Sequence, residues 1–80
     1  MPVDHIEVLV ASIEAAEAGI AEFWVQGAML GHTLLSAGAL VLYIEPRRDG
    51  RGWEVDFNEV RRRLDEAVER LRLPREAPRG

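Results

Sequence analysis

The 80-residue chain has no cysteine and no lysine. Without thiols it can form no disulfide, thiolate metal site or cysteine nucleophile. All ten basic residues are arginine, a coding bias that carries no chemistry of its own. Positive charge is missing altogether from residues 1–45, which hold six acids, and residues 23–44 carry no formal charge. No glycine-rich phosphate loop follows a candidate strand, no Ser/His/Asp set is spaced as a triad, and no Glu-x-x-His completes a carboxylate metal site beside Glu14 and Glu17. The expectation is a protein that is not an enzyme and holds no metal.

What is present divides sharply. Residues 1–45 carry −6, and residues 46–80 combine eight acids with ten arginines for +2, giving the net −4. A chain this short makes one domain, whose core supplies only ~3–5 kcal/mol unaided, so a partner, self-association or a bilayer is expected to support it.

Apolar residues from Ile6 to Ile44 follow an unbroken seam of three- and four-residue steps, which predicts a long helix over about 4–44 with Asp4 as its N-cap. Its uncharged part is 22 residues, about 33 Å of helix, enough to span a bilayer of roughly 30 Å. Trp24 and Tyr43 lie near its ends, and Arg47, Arg48 and Arg51 follow. The expected location is therefore a membrane, crossed once with a cytoplasmic C-terminus; a cytoplasmic soluble oligomer is the alternative. Residues 46–56 would be an Arg/Gly connector. An amphipathic helix is predicted over about 57–72, opened by Asp56 and Glu59, with residues 74–80 as a flexible tail. The fold class is thus mainly α. An alternative ends the first helix near Ala37, makes 39–45 a strand, and uses Asp49-Gly50 to turn into Trp53-Val55-Phe57, an α-β-β-α chain with a hairpin at about 39–57.

Candidate sites follow from the helical reading. Gly27 and Gly31 form a GxxxG, Gly38 extends it, and with Phe23, Leu30 and Leu34 they make a predicted helix-association interface. Val60, Leu64, Val68 and Leu71 make a predicted partner-docking face. His32 is the one residue of the run able to ligate haem iron or a pigment magnesium, a minor alternative to an expectation of no cofactor. Nucleic acid is not an expected partner, because acids interleave with the arginines. The expected function is a non-enzymatic accessory or anchor subunit pairing with partner helices in a membrane complex. The alternatives are a soluble oligomeric scaffold, adaptor or regulatory interaction module, and a haem- or pigment-carrying subunit.

Overall fold

The computed structural model describes residues 5–71. Its elements run β1 (Ile6–Leu9), α1 (Ile13–Glu17), β2 (Glu22–Val25), β3 (Ala28–Ser36), β4 (Ala39–Ile44) and α2 (Phe57–Leu71). The four strands form one antiparallel sheet in the order β1-β2-β3-β4.

The helix expected over 4–44 is therefore absent, and the fold is not mainly α. Its centre fails at two places where the chain reverses. Gln26 and Gly27 have φ of 50° and 80°, and Ala37 and Gly38 have 52° and 83°. Two consecutive residues at positive φ make the two-residue turn whose twist matches antiparallel strands. The 22 uncharged residues are thus β2, β3 and β4 folded against one another, and no helix among the described residues is long and apolar enough to cross a membrane. The single-pass reading falls with it. The alternative hairpin at 39–57 fails too: β4 pairs back onto β3, Ser36 opposite Ala39, and residues 53–55 are not a strand.

The second helix does form. Asp56 Oδ2 accepts the Glu59 N–H at 2.9 Å, which caps the first turn of α2. Ala67 and Leu71 are buried, and Val60 and Leu64 pack against the same core as Ile6, Phe23, Val25 and Leu30. α2 lies along β1 and covers that side of the sheet. Residue 72, the end of the expected helix, and the tail expected at 74–80 lie outside the described residues.

The link from α1 to β2 is held down by Thr33. Its Oγ1 accepts the Ala21 N–H at 2.9 Å and donates to the Gly19 carbonyl at 2.7 Å, while its own N–H donates to the Ala21 carbonyl. Gly19 sits at φ 75°, and a Cβ there would lie 2.6 Å from Leu35 Cγ, so both the backbone and the packing require glycine.

Candidate functional site

The two outer edges of the sheet are finished differently. On β1, Ile6 and Val8 direct backbone groups away from β2. The Ile6 N–H donates to Glu59 Oε2 at 3.3 Å, and the Val8 carbonyl accepts Arg70 Nη1. Side chains from α2 thus occupy this edge. Glu59 is itself gripped by Arg62 and Arg63, with His5 Nδ1 at 3.4 Å. The Ile6 N–H, then the Arg63 and Arg62 guanidiniums, outweigh the partial burial and lower the Glu59 carboxyl from its ordinary 4.5 to about 2.

Among the described residues the β4 edge carries no such cover. β3 is the one element with which β4 makes extensive contact among the described residues. The strand reads Ala-Leu-Val-Leu-Tyr-Ile, with no charge and no proline. Of the six large apolar residues exposed among the described ones, three are consecutive here: Leu42 at 39%, Tyr43 at 44% and Ile44 at 57%. A long, flat, apolar edge is a template for another strand, and proteins normally blunt it with charge, proline or a covering segment.

Direction matters as much as exposure. A two-residue hairpin is closed by a hydrogen-bonded pair, here Ser36 and Ala39, so Ala39, Val41 and Tyr43 turn their N–H and C=O toward β3. The Glu45 N–H keeps that parity by donating to the Leu30 carbonyl at 2.8 Å. Leu40, Leu42 and Ile44 therefore turn theirs outward. Their side chains share the α2 side of the sheet with Phe23, while Val41 and Tyr43 lie on the opposite face.

Among the described residues no helix lies over that opposite face. His32 stacks on Tyr43, with ring centroids 5.3 Å apart, and its Nδ1 lies 3.4 Å from Glu45 Oε2. Trp24 donates from Nε1 to Glu22 Oε1 at 3.0 Å. His32 is thus engaged by an aromatic ring and a carboxylate, and no group of three His, Asp or Glu suited to a metal occurs among the described residues.

The residues predicted as a helix-association interface are scattered. Phe23 and Leu30 are buried in the core, Gly27 and Gly38 are turn residues, and Leu34 is half-buried on the open face. Gly31 lies opposite Ile44, where a Cβ would run into the Tyr43 carbonyl oxygen. It permits a close backbone approach, between strands of one sheet instead of between helices. The predicted docking face of α2 is spent on the chain's own core through Val60, Leu64 and Leu71, with Val68 half-buried beside them. The arginines after β4 are also engaged in part: Arg47 forks onto Asp49 at 2.7 and 3.1 Å and lies 5.3 Å from the Trp53 ring.

No family model, curated protein or solved structure matches this chain. A cleft of about 700 Å³ lies between the Gln26-Gly27 turn and residues 45–53, lined by Trp24, Met29, Arg48 and Trp53. It is open to solvent, and Arg47 and Asp49 on its wall pair with each other. The edge of β4 is the feature whose chemistry is incomplete. The strand that the alternative reading places at 39–45 is present as β4, but it pairs back onto β3 through the Ala37-Gly38 turn instead of forward onto 53–57.

Proposed function

We propose that the protein is a small, non-enzymatic interaction module that binds a protein partner by adding a strand to the free edge of β4. The observation that carries this reading is the contrast between the edges: β1 is occupied by Glu59 and Arg70, while β4 presents three outward N–H groups, three outward carbonyls and exposed apolar side chains. Strand addition draws its affinity from main-chain hydrogen bonds and its selectivity from alternate side chains. Each main-chain bond contributes a net ~0.5–1.5 kcal/mol. The exposed fractions of Leu42, Tyr43 and Ile44 amount to about one and a half side chains, roughly 2–4 kcal/mol if fully buried. This is the scale of a module that binds reversibly. The open face around His32 and Tyr43 adjoins the edge and would widen the contact.

The test is a photo-crosslinking residue placed at position 42 of the full chain in the expressing cell, with the same residue at exposed Leu9 on β1 as reference. Adducts are expected from position 42, and placing a proline at Leu40 should abolish them, because it removes an outward N–H without breaking a bond to β3. A folded protein that gives no adduct from position 42 refutes the reading.

A further inference from the structure

Resting on that reading of the edge, we propose that the strand added to β4 is β4 of a second copy, paired antiparallel about a two-fold axis through Leu42, so that two four-stranded sheets become one of eight. Leu42 then faces Leu42 of the copy, and Leu40 faces Ile44. This register joins all three outward-facing residues of each chain in hydrogen-bonded pairs. A shift of two residues one way sets Leu40 opposite Pro46, which has no N–H, and a shift the other way sets Ile44 opposite Gly38, held in the turn at φ 83°. The strand therefore has one register that uses its whole edge, and that register is its own two-fold image.

Side chains fit the same axis. Leu40, Leu42 and Ile44 of both copies meet on the α2 side, where α2 leaves room because it packs along β1. On the other face Val41 meets Tyr43 of the copy, an aromatic against a β-branched residue, one of the favourable cross-strand pairs. Charge argues for a copy as well. β4 is neutral, so it offers a charged foreign strand nothing to pair with; in the two-fold register Glu45 falls opposite Ala39 and Arg47 opposite Ala37, and no like charges meet despite the net −4 of each chain.

The β1 edge fixes the number of copies. A sheet with two free edges grows into a filament, whereas an isologous contact at one edge, with the other occupied by Glu59 and Arg70, closes at two.

The test uses sedimentation of the full chain over a range of concentrations. The expected species has about twice the 9.0 kDa of one chain and dissociates on dilution. Leu42→Lys places two ammonium groups on the axis and should leave a monomer with an unchanged circular dichroism spectrum, while Leu9→Lys should still dimerise. Because the chain has no cysteine, Leu42→Cys gives an independent readout that does not depend on the Lys variant folding. Hydrogen-bonded antiparallel partners sit ~5.5 Å apart at Cα, within disulfide reach, whereas two copies of Val41→Cys would be offset along the strand beyond it. Crosslinking at 42 but not at 41 is expected. A monomer at every concentration, or equal crosslinking at both positions, overturns the pairing. If the photo-adduct from position 42 then contains a different protein, the interaction reading of β4 stands and self-pairing alone is lost; if no adduct forms, both are lost.

Discussion

Replacing Thr33 by valine keeps the shape of the side chain and removes its hydroxyl. Thr33 is 3% exposed, and that hydroxyl satisfies two buried backbone groups of the α1–β2 link, the Ala21 N–H and the Gly19 carbonyl. Each group left without a partner costs ~1–3 kcal/mol, the carbonyl at the lower end, and the added methyl returns about 0.8 kcal/mol. The net loss is therefore ~1–4 kcal/mol, which for a domain of this size lowers the melting temperature by about 5–30 °C. Thr33→Ser is the decisive companion. It keeps both hydrogen bonds and loses one methyl, a cost of ~1 kcal/mol. Thermal and urea melts at one fixed protein concentration should rank wild type above Ser and Ser well above Val, and hydrogen exchange should show the Ala21 amide losing protection in Val only. A valine variant within 1 kcal/mol of wild type, or more stable than the serine variant, would mean that the hydroxyl does not hold this link.

Three further perturbations follow from the geometry. Glu59 has a folded pKa of about 2 against 4.5 when free, so its carboxylate stabilises the fold fully above the free value, and this contribution is lost as pH falls from about 4.5 toward 2. The gap in melting temperature between wild type and Glu59→Gln should narrow over that window; a gap that stays constant down to about pH 2 contradicts the assignment. Ala37 occupies a left-handed conformation at φ 52° that costs an L-residue ~1–2 kcal/mol, so Ala37→Asn should stabilise by ~0.5–1 kcal/mol. Gly38→Ala, at φ 83° with open space around it, should cost ~1–2 kcal/mol for conformational reasons alone, and denaturant midpoints that fail to move in opposite directions count against both.

How much of this was legible in the sequence depends on the element. The C-terminal helix announces itself, because Asp56 stands before a run whose apolar residues fall on one stripe and whose other positions are charged, so only one period fits. Between Phe23 and Ile44 fifteen of 22 residues are apolar, and in so dense a run a seam of three- and four-residue steps arises without a helix. The strands there also hide their alternation: β4 is apolar on both faces, and a bulge between Phe23 and Trp24 shifts the register of β3. Gly27, Gly31 and Gly38 have the spacing of a helix-packing motif, yet two of them are the second residues of hairpin turns. The candidate site was illegible for a different reason. Whether an edge is free is a property of topology, and nothing local in Leu40, Leu42 or Ile44 says which side of the strand has a neighbour.

Topology also explains why one sequence treats its two edges so differently. Twenty-four of the 80 residues are charged, and α2 spends two of them, Glu59 and Arg70, on the backbone of β1. None falls between Phe23 and Ile44, although a single lysine or glutamate at Leu42, already 39% exposed, would guard β4 with little loss to the core. A bare edge on so small a domain is a hazard if it stays empty and a source of stability if it is filled, because a ligand that binds only the folded state stabilises it by mass action. The melting temperature of the wild-type chain should therefore rise with protein concentration, and that of Leu42→Lys should not. Equal melting curves across a hundredfold range of concentration, with Leu42→Lys matching wild type throughout, would leave the β4 edge without a partner of its own kind.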